Sequence, residues 1–220
     1  MKFAVFVSGN GSNLQAIIEA VKAGEITAEL VLVVSNNRKA FALERAMEAG
    51  IKTLALVPKD YASKQSYERD LFIYLRKENI DFIVFAGFMV LVTPWFVKQY
   101  PGKILNVHPS LLPAFRGKDG IKDTFTYGSK VAGVTIHFVD GKMDHGPIIM
   151  QDSVKIQEDD TLESLEEKIH KIEHRIYPKA IQAFAEGRIK VKGRKVHILE
   201  KAHKKSEESS GMSKNPNRIT

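Results

Sequence analysis

Residues 2–14 read KFAVFVSGNGSNL, and the way this stretch divides decides the fold. Lys2–Ser8 is apolar and rich in valine and phenylalanine, which predicts a buried strand. Gly9–Ser12 is a loop of small residues. Asn13–Ala23 then places Leu14, Ile17, Ile18 and Val21 at helical spacing. A strand that runs through a glycine loop straight into a helix predicts the opening of a βαβ unit. The same rhythm continues outward. Ala28–Ser35 reads as a strand, Ala40–Ala49 as a helix stopped at Gly50, and Lys52–Val57 as a strand. Ser63–Glu78 reads as an amphipathic helix carrying Tyr67, Leu71, Ile73, Tyr74 and Leu75. Asp81–Ala86 and Lys103–Val107 are further apolar strands. Strands separated by helices predict an α/β fold with a mostly parallel sheet, buried on both faces.

After residue 107 the rhythm changes. Pro109, Pro113 and Gly117 punctuate a long loop. Gly133–Asp140 alternates like a strand, Gly141–Gly146 is a loop, and Pro147–Val154 is another strand. A long helix, Thr161–Ala185, follows, with Asp159 or Asp160 near its N-cap. Ile189–Val191 and Val196–Leu199 predict a short hairpin around Gly193. Residues 1–200 therefore read as one domain with a mixed C-terminal extension of the sheet. Residues 201–220 lack periodicity and read as a disordered basic tail.

The 220 residues are 44% hydrophobic, enough for a sizeable core. With no cysteine there is no thiolate nucleophile, no disulfide and no thiolate metal site. No apolar run reaches the roughly 18 residues of a membrane span. The N-terminal apolar run is short and lacks a small-residue cleavage site, so it reads as a strand and not as a signal peptide. These features predict a cytoplasmic protein with no membrane partner. Net charge is +7, and the tail supplies five Lys/Arg against two Glu. The remaining excess forms no dense basic stripe, which favours anionic small substrates over nucleic acid.

Three segments carry candidate chemistry. The first is Gly9-Asn10-Gly11-Ser12-Asn13-Leu14. Backbone N–H groups at a helix N-terminus attract anions, and small residues allow close approach. A third glycine is missing at Leu14, no acidic residue ends the second strand, and Gly-Lys-Ser/Thr is absent. A phosphomonoester therefore fits better than NAD or ATP. The alternative is a tight turn capped by Ser12 or Asn13.

The second segment is Asn106-Val107-His108-Pro109. Two residues apart at the C-terminal end of a strand, Asn106 and His108 point the same way. An amide and an imidazole together can hold an oxyanion and move a proton. The alternative is a satisfied histidine in a proline-rich turn. In the third segment, Asp140 and Asp144 lie in a glycine-bracketed loop, where a carboxylate can orient a histidine or accept a proton. The alternative is ordinary turn chemistry. His137 reads as a strand residue, and no segment has zinc-ligand spacing. Without a Gly-x-Ser-x-Gly elbow or a cysteine, direct attack of a bound amine on a bound acyl donor is the remaining acyl-transfer route.

In this order, together with Ala86-Gly87-Phe88-Met89 and Asp144-His145-Gly146-Pro147, these segments resemble the phosphoribosylglycinamide formyltransferases, folate-dependent enzymes of purine synthesis. The resemblance covers about residues 1–200. It implies a Rossmann-like nucleotide-binding half (1–100) and a folate-binding, catalytic half (101–200). It implies the substrate glycinamide ribonucleotide, the co-substrate 10-formyltetrahydrofolate, no metal, and a monomer or homodimer. Asn106, His108 and Asp144 match the family's catalytic trio. Gly11, Ser12 and Asn13 match its phosphate loop, and Glu173 matches a residue that holds the glycinamide end. Phe88, Met89, Val90, Leu91, Asp140 and Lys64 fall at its folate-binding positions. Val90 stands where the family often has a basic residue, and Lys64 where it commonly has arginine. Two other functions stay open on the residues: a formyltetrahydrofolate deformylase, or a non-catalytic nucleotide-binding module.

Overall fold

A seven-stranded sheet with the order β3-β2-β1-β4-β5-β6-β7 organises the computed structural model, which describes residues 1–201. The strands are β1 (Lys2–Val7), β2 (Glu29–Ser35), β3 (Lys52–Ala55), β4 (Phe82–Phe85), β5 (Ile104–His108), β6 (Val131–Phe138) and β7 (Ile148–Lys155). The first five pair in parallel, and β6 and β7 run antiparallel, which is the mixed extension the sequence predicts. Strands from both sequence halves share this one sheet.

Alternation along β1 explains the layers. Phe3, Val5 and Val7 enter one apolar cluster, and Ala4 and Phe6 enter the other. Helices α1 (Ser12–Lys22), α2 (Phe41–Glu48) and α6 (Leu162–Ala185) cover the first face. Helices α3 (Lys64–Lys77) and α4 (Pro94–Gln99) cover the second. On α3 the buried stripe is Tyr67, Leu71 and Leu75, whereas Ile73 and Tyr74 face solvent.

Three features differ from the sequence reading. Thr161, not Asp159 or Asp160, is the N-cap of α6, in a reciprocal box with Ser164. Asp160 instead accepts from the Ser164 hydroxyl and pairs with Lys168. Helices α4 and α5 (Gly120–Thr126) were not expected, being too short to establish a helical period. Thr93 followed by Pro94 was nonetheless a readable start for α4. The hairpin of β8 (Ile189–Lys192) and β9 (Lys195–Ile198) forms its own two-stranded sheet, packed on the main core through Ile189, Val196 and Ile198. The predicted tail lies outside the described residues, except for Lys201. Among the described residues no helix is long and apolar enough to cross a membrane.

Candidate active site

The parallel-to-antiparallel change at β5–β6 builds the centre of the site. Asn106 pairs across the ladder with His137, and His108 with Thr135, so Asn106, His108 and His137 face the same side. The β6–β7 loop turns back over that face and brings Asp144 to it. Asp144 Oδ2 lies 3.5 Å from His108 Nδ1, and its Oδ1 lies 3.7 Å from His137 Nε2. Asn106 Nδ2 lies 3.1 Å from His137 Nε2. The predicted trio therefore comes together, with His137 as a fourth member that the sequence reading left as a strand residue.

The hydrogen-bond partners fix the proton positions. His137 Nδ1 lies 2.8 Å from the Phe138 carbonyl and must donate to it, so Nε2 accepts from the Asn106 amide. That contact uses one N–H of Asn106 and leaves the second for a ligand. His108 Nε2–H donates to the Phe115 carbonyl at 2.8 Å, which leaves the Nδ1 lone pair on the Asp144 side. The Gly117 N–H donates to Asp144 Oδ2 at 2.9 Å. Phe115 and Asp144 both hold left-handed backbone, φ 49° and 45°, the kind of stored strain that gathers at working sites.

Burial lowers the His108 pKa below its ordinary value, and the Asp144 charge and the Phe115 carbonyl only partly oppose this. Burial pushes Asp144 upward, but the neighbouring His137 ring, the Gly117 N–H and the nearby His108 ring outweigh it and hold the carboxyl below its usual range. The resting centre is thus a neutral imidazole beside a carboxylate. A proton arriving on Nδ1 would meet that carboxylate directly.

The second cluster lies at the start of α1. Gly11 has φ 80° and is the N-cap, with no side chain capping the helix. Neither Ser12 nor Asn13 acts as the cap, so the first-turn N–H groups stay open to an anion. A Cβ on Gly11 would lie 2.6 Å from that of Ala42, so only glycine fits there. Asn13 instead donates to Glu173 of α6 at 3.0 Å. The Asn13 Oδ1 is buried without a partner. Asn13 of the predicted phosphate loop and Glu173, 160 positions apart, are therefore neighbours.

Burial pushes Glu173 up to about 7, against the opposing pull of Asn13. A raised carboxyl pKa favours the folded state fully below 4.5 and loses that contribution as pH rises through about 7. The displacement is equivalent to about 3 kcal/mol. Glu173→Gln is accordingly expected to raise stability by up to about that amount at pH 8, and to change it little at pH 4.5. Denaturant unfolding at the two pH values measures the difference.

The predicted folate-side residues are less uniform. Residues 86–93 are loop and not a strand end, because β4 stops at Phe85. Phe88 packs on Phe6 and Phe85, each with ring centroids 5.2 Å away, and Val90 also leans on the core. Met89 and Leu91 are the exposed pair. The Met89 N–H donates to Ser8 Oγ at 2.8 Å, which joins this loop to the end of β1. Glu68, fully buried, accepts from the Thr93 N–H at 2.6 Å and anchors the loop's far end. Lys64 is exposed in the first turn of α3 and makes no side-chain hydrogen bond among the described residues. Asp140 is engaged with His145, 2.6 Å away, and with the Lys142 N–H. No group of three or more potential metal ligands exists among the described residues.

His137 was the residue the sequence reading missed. Its signal was the antiparallel register, which sets it opposite Asn106 once β5 and β6 are paired.

Comparison with known proteins shows the family. The profile described as "Formyl transferase" matches residues 1–181. Phosphoribosylglycinamide formyltransferase of Bacillus subtilis is 45% identical over 181 residues, covering 82% of this chain and 93% of the relative. The Escherichia coli protein of the same name is 40% identical over 191 residues, covering 87% and 90%. The trifunctional purine biosynthetic protein adenosine-3 of Chironomus tentans is 44% identical, over 86% of this chain but only 14% of that much longer protein. The crystal structure of glycinamide ribonucleotide transformylase 1 from Symbiobacterium toebii superposes with a TM-score of 0.89 at 42% identity, covering 91% and 94% of the two chains. On these matches the chain belongs to the formyl transferase family, among its phosphoribosylglycinamide formyltransferases.

Proposed function

We propose that residues 1–200 act as one formyltransferase domain that moves the formyl group of 10-formyltetrahydrofolate to the amine of glycinamide ribonucleotide. The products are formylglycinamide ribonucleotide and tetrahydrofolate, a step of purine biosynthesis. The observation that carries this reading is the Asn106–His137–Asp144–His108 cluster, its two histidines buried and its amide and carboxylate half-buried, in a fold that also presents an uncapped helix N-terminus beside Glu173.

The first turn of α1 receives the substrate phosphate through its open N–H groups and the helix dipole. Asn13 and Glu173 hold the neighbouring part of the same substrate, and the unpartnered Asn13 Oδ1 takes a donor from it. The exposed Met89 and Leu91 and the loop around Asp140–Asp144 receive the flat folate ring. The neutral amine attacks the formyl carbon, and negative charge builds on the formyl oxygen. The free N–H of the Asn106 amide donates to that oxygen, and His137 keeps the amide turned the right way. His108 accepts the amine proton at Nδ1. Asp144 stabilises the imidazolium so formed, and the proton passes on to the departing folate nitrogen. Every proton is conserved, and no covalent enzyme intermediate is involved. Holding both reactants in one cleft supplies much of the remaining acceleration.

The test is a formyl-transfer assay with purified protein and both substrates, with thermal shifts for each ligand alone. Formylated product and a shift from each ligand are expected. Formate release that ignores the amine substrate would identify a hydrolase, and shifts with phosphate ligands alone would identify a nucleotide-binding module.

A further inference from the structure

The β8–β9 hairpin lies beyond the residues matched by the family profile, yet its tip touches the loop that carries Asp144. Arg194, next to Gly193 at the turn, donates from Nη2 to the His145 carbonyl at 2.7 Å. Its Nη1 stands 3.4 Å from His145 Nε2. On its other side the same imidazole presents Nδ1 to Asp140 Oδ2 at 2.6 Å. Asp140 also accepts the Lys142 N–H at 3.2 Å. The loop is thus tied to itself across residues 140–145, and Arg194 ties it to the hairpin.

We propose that Arg194 is a positioning residue for Asp144, so that the C-terminal hairpin sets the geometry of the catalytic carboxylate. His145 is the next residue after Asp144, and Asp144 sits in left-handed backbone that its neighbours must maintain. Gly146 packs directly against the Phe138 carbonyl, where a Cβ would lie 1.7 Å from the oxygen, so the loop's C-terminal end is held close to β6 and Arg194 holds the residue before it. A planar guanidinium engages the His145 carbonyl and ring together, which a single surface charge would not do. The proposal rests on the formyl-transfer reading for its kinetic consequence. The latch itself does not depend on that reading.

The test compares Arg194→Met, Arg194→Lys and Lys192→Met in the full chain. Arg194→Met should lower kcat about ten-fold while both KM values stay within about two-fold, because displacement of a reacting group acts on the chemical step. Arg194→Lys should recover only part of the rate, since an ammonium reaches the carbonyl but cannot engage the ring as well. Lys192→Met, on the same hairpin, should match the wild type. Amide hydrogen exchange read by mass spectrometry should quicken over residues 141–145 in Arg194→Met only. Unchanged exchange there overturns the latch, whatever the activity. Faster exchange with unchanged kcat, or a loss confined to KM, overturns the positioning role. A wild type with no formyl transfer strikes at the functional reading, and the exchange measurement still decides the latch.

Discussion

Asp144→Ala is expected to lower turnover by about two orders of magnitude or more, with the KM for each substrate changing far less. Asp144 lies beside both histidines of the centre, and in the proposed mechanism it is the counter-charge for the proton that His108 collects. Asp144→Asn separates charge from shape. The amide oxygen can still accept the Gly117 N–H, yet the rate should fall almost as far. Asn106→Ala and His108→Ala should each cost a comparable factor. Because the group acts as a unit, His108→Ala/Asp144→Ala should be far less impaired than the product of the single losses. The wild-type rate should hold below pH 6.5 and fall as pH drops through the depressed His108 pKa, since only the neutral ring can accept the proton. In Asp144→Asn that limb should move lower still, because the carboxylate is what raises the His108 pKa against burial. Single-turnover transfer against pH measures both effects. Intact mass should show no formyl adduct on the protein. An adduct, or near-normal turnover in His108→Ala, would overturn direct transfer.

Gly146→Ala is expected to be the most damaging single-methyl change in the site. The added Cβ would lie 1.7 Å from the Phe138 carbonyl oxygen and 2.7 Å from its carbon, both backbone atoms that cannot swing aside. Either β6 loses its end or the loop lifts. A cost of about 3 kcal/mol or more is expected, which lowers the melting temperature by about 10 °C in a domain of this size. Turnover should fall as well, because Asp144 is only two residues upstream. A melting temperature within about 2 °C of the wild type, with normal turnover, would show that the loop has room to spare.

The sheet was legible because its signals are local and redundant. The runs Phe3–Val7, Leu30–Val34 and Phe82–Phe85 are apolar without interruption, and the helices between them carry clear stripes. Asn106 and His108 were legible for a similar reason: strand geometry alone puts them on one face. What stayed hidden depends on pairing between distant residues. His137 becomes part of the site only through a cross-strand register, and Asn13 finds Glu173 across 160 positions. Phe88 falls at a folate-binding position by resemblance, but its ring packs on two phenylalanines of the core. The latch at Arg194 depends on where a hairpin tip lands, which no periodicity encodes.

The central place of β1 has a consequence for how the chain is made. Its partners are β2 on one side and β4 on the other. On the ribosome, residues 2–7 emerge before either partner, and one edge is covered once β2 follows. The other edge waits for residues 82–85. At about 5–20 residues per second, that is an interval of several seconds during which a phenylalanine- and valine-rich strand offers a bare edge to any passing chain. The nascent protein is therefore most open to mispairing halfway through synthesis, and a chaperone that shields it then would matter more than one acting on the finished chain. The contact between Asn13 and Glu173 closes later still, only when the long helix Leu162–Ala185 has emerged.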